Sequence, residues 1–94
     1  MNRESLMVQI FFIYAKKCKH CASALIAIES AVAKCQKIPC EIKKFHYDNE
    51  VSIAIALNKG IDDLPGIVIK DTVFAGKEFS EEKIIEAIKK ASKN

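Results

Sequence analysis

Between Met7 and Ala15 the chain reads MVQIFFIYA, and a short polar break separates this run from a long apolar stripe of helical period. That pairing constrains the fold more than any other feature. The run is short, rich in Val, Ile and aromatic residues and bounded by polar stretches, which is the pattern of a buried strand. From Cys21, the positions Cys21, Leu25, Ile28, Val32 and Cys35 step by four, three, four and three residues, one continuous helical face. Ala22, Ala24, Ala27, Ala31 and Ala33 raise helix propensity. The helix must stop before Pro39, because the residue preceding a proline disfavours the helical region. The segment CEIKKFHYD (Cys40 to Asp48) then has strand composition, with Ile42, Phe45 and Tyr47. A strand, a helix and a second strand joined by a right-handed crossover make a parallel pair.

The second half supplies four more elements and a turn. Asn49 to Lys59 reads as a short helix: Asp48 or Asn49 can cap its start, Val51, Ala54 and Ile55 share a face, and Gly60 offers a left-handed stop. IDDLP is a polar turn ending at Pro65. GIVIK (Gly66 to Lys70) and TVFA (Thr72 to Ala75) read as strands joined tightly around Lys70 and Asp71, hence antiparallel. The last helix is the clearest, with Ser80 as N-cap, Glu81 and Glu82 at the positive end of its dipole, and Ile84, Ile85, Ile88 and Ala91 on its buried face. Lys89, Lys90 and Lys93 suit its C-terminal end. The order strand, helix, strand, helix, strand, strand, helix specifies an α/β fold, one four-stranded mixed sheet flanked by three helices. No repeat, linker or low-complexity segment divides residues 1–94, so a single domain is expected.

Composition excludes several classes. The net charge of +3 comes from lysines spread along the chain with few aromatics between them, so no nucleic-acid surface is expected. Four cysteines in 94 residues could suggest a disulfide scaffold, but such scaffolds are loop-rich and replace a core they cannot build. Here half the residues are hydrophobic, and Cys18, Cys21, Cys35 and Cys40 all lie in the first half. The first apolar run has the length of a signal-peptide core. Glu4 cancels Arg3, however, Gln9 interrupts the run, and Lys16 and Lys17 stand where small cleavage-site residues belong. Nine residues cannot cross a bilayer. A cytoplasmic protein with no membrane contact is expected, a setting in which CxxC is more often catalytic or metal-binding than structural.

The chemistry-bearing segment is KKCKHC, residues 16–21. A dithiol that cycles through a disulfide needs one exposed, ionised thiol and a second close enough to close the ring. Cys18 falls at the strand-to-helix junction, near the unpaired N–H groups and positive dipole end of the coming helix, while Cys21 heads the buried stripe. This assigns Cys18 as nucleophile and Cys21 as resolving thiol. Lys17, Lys19 and His20, with Lys16, favour the thiolate; His20 can also raise the reduction potential by stabilising the reduced form. Those lysines equally suit a solvated face. A metal site is the sharper alternative, since C-x2-C-x13-C-x4-C approaches structural zinc spacings. A continuous helix would carry Cys35 about 20 Å from Cys21, at 1.5 Å per residue, too far for one ion. Cys35 and Cys40 read as small buried hydrophobes, with a second disulfide between them left open. No metal or other cofactor is expected beyond the Cys18–Cys21 disulfide.

IFFIYAKKCKHC, LPGIVIKD and AGKEFSEEKIIEAIKKA together resemble the thioredoxin superfamily, and within it the small glutaredoxin-like redox-active-disulfide proteins of archaea and bacteria. The likeness runs from Val8 to Ala91. The resemblance implies a thioredoxin fold (βαβαββα), a cis Pro65, and a Leu64 whose backbone pairs with an extended substrate segment by strand addition. The chain also departs from the family. Lys17 stands where thioredoxin has a tryptophan, and Lys19-His20 where it has Gly-Pro. Phe12 occupies the place of the buried aspartate that helps deprotonate the resolving cysteine. Ala75-Gly76-Lys77 keeps only one glycine of the glutaredoxin segment that holds glutathione. The Cys-x-His-Cys form resembles the oxidising periplasmic members. The implied function is a thiol–disulfide oxidoreductase acting on disulfide-containing proteins, an electron-transport role served by a thioredoxin-reductase-like or small-thiol donor, in a monomer. A non-enzymatic redox-sensing or zinc-binding module is the alternative from another class.

Overall fold

The computed structural model describes residues 7–93; Arg3 and Glu4, weighed above as flanks of an export signal, lie outside the described residues. The elements run β1 (Val8–Tyr14), α1 (Cys21–Lys34), β2 (Cys40–His46), α2 (Glu50–Lys59), β3 (Gly66–Ile69), β4 (Thr72–Ala75) and α3 (Glu81–Ser92). A single 3-10 turn, Gly76–Glu78, follows β4. The sheet order is β2-β1-β3-β4. β1 pairs with β2 in parallel, from Val8↔Cys40 to Tyr14↔His46, and with β3 in antiparallel register, Ile13 opposite Gly66. β3 and β4 form the tight hairpin, with Lys70 at φ 55° in its turn.

The core gathers Val8, Ile10 and Phe12 of β1, Ile67 and Ile69 of β3 and Phe74 of β4 beneath α1 and α3. Alternation along β1 sends Ile13 to the opposite face, where it meets Ile53, Leu57 and Ile61 from α2 and the loop after it. Helices therefore cover both faces, unequally. Ile28 of α1 and Ile84 and Ile88 of α3 are fully buried. Burying each such side chain contributes about 1.5–3 kcal/mol.

Two buried faces differ from the sequence reading. On α1 the buried line is Cys21, Ala24, Ile28 and Ala31, continuing to Cys35, while Leu25 and Val32 sit at its margins. The alanines occupy the centre because small side chains let α1 and α3 approach. On α2 the expected face of Val51, Ala54 and Ile55 is not buried: Val51 and Ala54 are exposed, and Ile55 is half-buried. The one buried residue of α2 is Ser52, whose hydroxyl donates to the carbonyls of His46 (2.7 Å) and Asn49 (2.8 Å). A three-centre hydrogen bond, not an apolar stripe, seats this helix.

The helix ends follow local chemistry. Asn49 Oδ1 accepts from Val51 N at 2.8 Å, and Gly60, at φ 69°, closes α2. Ser80 Oγ accepts from Lys83 N at 3.1 Å at the start of α3. Lys34, in the last turn of α1, forms an exposed ion pair with Glu81, in the first turn of α3. Among the described residues no helix is long and apolar enough to cross a membrane.

Candidate active site

The site is built where β1 and β2 end together. Parallel pairing brings Tyr14 beside His46, and Tyr47 N extends the ladder by donating to Tyr14 O at 2.8 Å. From Tyr14 the chain turns through Ala15, Lys16 and Lys17, with Cys18 N donating to Ala15 O at 3.2 Å. Cys18 and Cys21 are joined by a disulfide, their Cα atoms 5.4 Å apart. Cys18 is half-buried and Cys21 buried, so the two sulfurs differ in access as their spacing implied.

α1 begins at Cys21 itself, with His20 as N-cap, so Cys18 lies in the turn between β1 and the helix, at the junction the sequence suggested. The His20 side chain makes no capping hydrogen bond and the first turn holds no acidic residue, so no side chain of the helix's own first turn offsets its positive end. Beneath the disulfide the surroundings are apolar. Phe12, 2% exposed, belongs to the same core cluster as Cys21 and stacks on Tyr14 at 5.8 Å.

Across the mouth of the disulfide lies the loop before β3. The Leu64–Pro65 peptide bond is cis, and Pro65 is fully buried. Pro65 O accepts from Gly76 N at 2.9 Å, fixing this loop to the end of β4. Asp63 Oδ1 accepts from Leu64 N at 2.9 Å. An open cleft of about 590 Å³ runs between these segments, and Cys18, Lys17, Lys19, His20 and Leu64 all line it. The pair of cysteines, the basic residues and Leu64 are therefore brought to one place; Pro65 stands behind Leu64.

Sequence reasoning missed three further residues of this cleft: His46, Tyr47 and Asp63. His46 Nδ1 lies 2.5 Å from Asp48 Oδ1, and its ring packs edge-on to Tyr14 (5.6 Å) and tilted against Tyr47 (4.8 Å). The signal that could have found His46 and Tyr47 is register: a parallel partner of β1 must end where KKCKHC begins.

Cys35 and Cys40 lie at the other end of α1, both free thiols. Burial, and then the nearby Cys35, push the Cys40 thiol above its ordinary value. Cys40 Sγ donates to Ile38 O at 3.4 Å. α1 is unbroken from Cys21 to Lys34, which separates the two cysteine pairs by about 20 Å at 1.5 Å per residue. Among the described residues no three His, Cys, Asp or Glu side chains converge as metal ligands.

No family model matches the sequence, and no curated protein matches it. Solved structures do. The structure of a malarial protein superposes with a TM-score of 0.64 at 21% identity, covering 90% of this chain and 97% of its own. A thioredoxin-2, described as a component of the malaria parasite protein secretion machinery, gives a TM-score of 0.63 at 23% identity, covering 89% and 82%. At these identities the likeness is one of architecture. The chain has the thioredoxin fold, a four-stranded mixed sheet with three helices.

Proposed function

We propose that the protein is a thiol–disulfide oxidoreductase working through Cys18 and Cys21 on protein disulfides, in the shorter glutaredoxin-sized form of the fold. The observation that carries this reading is the Cys18–Cys21 disulfide at the wall of a cleft whose opposite side is Leu64. A dithiol sealed in the core could not reach a partner, and one on a convex surface could not hold it.

In the reduced protein Cys18 is the accessible thiol. Lys17, Lys19 and His20 and the N-terminal end of α1 favour its thiolate, which attacks a substrate disulfide. The resulting mixed disulfide is cleaved by Cys21, which releases the substrate thiol and restores the intramolecular disulfide. The backbone at Leu64 pairs with the extended substrate segment beside the scissile bond. Asp63 must release the Leu64 N–H as the substrate strand arrives. A thioredoxin-reductase-like protein or a small thiol returns the electrons. The free thiols Cys35 and Cys40 suit a reducing compartment, and we place the reaction in the cytoplasm.

The test is a pair of variants assayed on a protein disulfide with a coupled reductant. Cys18→Ser abolishes turnover, whereas Cys21→Ser retains the first attack and accumulates a mixed disulfide visible by mass spectrometry. Full activity in Cys18→Ser would overturn the reading. The reduction potential of the pair gives the direction of electron flow, about −270 mV for a reductant against about −120 mV for an oxidant.

A further inference from the structure

Attack by the Cys18 thiolate expels the second substrate sulfur as an anion, and it leaves more slowly the higher the pKa of its thiol. A proton donor in the cleft would speed the departure of an alkyl thiol. Phe12, in the core cluster beside Cys21, is apolar and cannot serve.

We infer that His46, oriented by Asp48, is the general acid that protonates the departing substrate sulfur. The inference rests on the oxidoreductase reading above. Three observations carry it. His46 lines the same cleft as Cys18 and Leu64, where the substrate disulfide would bind. Its Nδ1 is engaged by Asp48 Oδ1 at 2.5 Å, which leaves Nε2 to carry the exchangeable proton, as a carboxylate fixes a histidine in a catalytic triad. The ring is also held on two sides, edge-on to Tyr14 and tilted against Tyr47, with its backbone pinned by Asn49 N and the Ser52 hydroxyl donating to His46 O. The other titratable groups of the cleft are Lys16, Lys17, Cys18, Lys19, His20, Tyr47 and Asp63. Asp48 stands as its immediate counter-charge, and Lys44 lies two residues back on its own strand.

The step balances without a further reactant. The Cys18 thiolate donates an electron pair to one substrate sulfur, forming the mixed disulfide. The old S–S bond breaks and its pair passes to the departing sulfur, which takes the proton from His46 Nε2 and leaves as a thiol. Imidazole is left neutral beside the Asp48 carboxylate. It is reprotonated from solvent while Cys21 loses its own proton to attack in the second half.

Leaving-group dependence tests this directly. The reduced wild type, His46→Gln and Asp48→Asn are reacted with a dialkyl disulfide, with an aromatic disulfide whose thiol departs readily as its anion, and with iodoacetamide, whose iodide needs no proton. His46→Gln is expected to slow the dialkyl disulfide about a hundredfold or more, the lower range of general acid catalysis, and to leave the other two reactions within about twofold. Asp48→Asn shows the same pattern more weakly, as a positioning residue. Equal slowing of all three reagents, or of none, overturns the assignment. Circular dichroism of each variant identifies one that has failed to fold, and Asp48→Asn then carries the comparison. Cys18→Ser, which loses the fast phase of reaction with all three reagents if Cys18 is the nucleophile, separates failure of this inference from failure of the oxidoreductase reading.

Discussion

The carboxylate of Asp63 lies against Gly76: a Cβ built on Gly76 would come within 2.6 Å of Asp63 Oδ2. Gly76 also sits at φ +67°, a left-handed conformation that disfavours any side chain. The two residues lock the loop of Leu64 to the end of β4, assisted by the bond from Gly76 N to Pro65 O. Gly76→Ala is expected to cost about 2 kcal/mol, of which the left-handed backbone alone is about 1–2 kcal/mol. Thermal denaturation should show a fall of about 8–16 °C, at 4–8 °C per kcal/mol for a chain of this size. Adding Asp63→Ala should restore only the steric part.

Ser52 gives a smaller and more local effect. Its hydroxyl serves two carbonyls, but His46 O also accepts from Asn49 N (2.9 Å) and Asn49 O from Ile53 N (3.0 Å). Neither acceptor is orphaned by Ser52→Ala, so the loss should be about 1 kcal/mol. Hydrogen exchange is the measurement: amides of α2 should exchange faster, while those of α3 should be little changed.

The exposed Lys34–Glu81 pair predicts a weak acid dependence. The hydrogen bond from Lys34, and then one from Ser30, hold the Glu81 carboxyl below its ordinary value of 4.5. A depressed carboxylate stabilises the fold above its unfolded pKa and loses that contribution as pH falls through the folded one. The Glu81 hydrogen bond and charge raise Lys34 above 10.5, so its side of the pair is lost only as pH rises past that range. The stability gap between wild type and Lys34→Gln should therefore be small at neutral pH and vanish as pH drops below the carboxylate range. It should also shrink in 1 M salt, at about 3 Å Debye length, when urea denaturation is compared.

Thiol reactivity should rank the cysteines. Because burial and Cys35 raise the Cys40 thiol above 9.0, it presents less thiolate at neutral pH than an ordinary cysteine. In the reduced protein, iodoacetamide followed by peptide mass mapping should label Cys18 first and Cys40 slowly, at a rate still climbing above pH 9.0. Cys35, 6% exposed, should react only after unfolding.

Much of this architecture could be read from the chain because strand and helix periods differ and its caps are strong. Ser80, Asn49 and Gly60 ended their helices where expected. The misreadings have physical causes. Hydropathy ranks Leu25 and Val32 above Ala24 and Ala31, yet the contact between α1 and α3 selects for small volume. It ranks Val51 above Ser52, yet a hydroxyl with two carbonyl partners can be buried in place of an apolar side chain. At the site, Cys18 and Cys21 were marked by their spacing and place at the strand-to-helix junction, and Leu64 only by the resemblance. His46 and Tyr47 were not marked, because their place beside Cys18 depends on pairing between strands that a linear pattern leaves unspecified.

Cys18 and Leu64 face each other only because β1 and β3 hold Ile13 opposite Gly66. The hydrogen bonds of each helix are local to it, and compact denatured states commonly keep near-native secondary structure. A partly denatured sample should then retain most of its far-ultraviolet ellipticity while its disulfide chemistry has already stopped. Turnover becomes the finer thermometer of native order in this chain, reporting strand register that helical spectroscopy does not see.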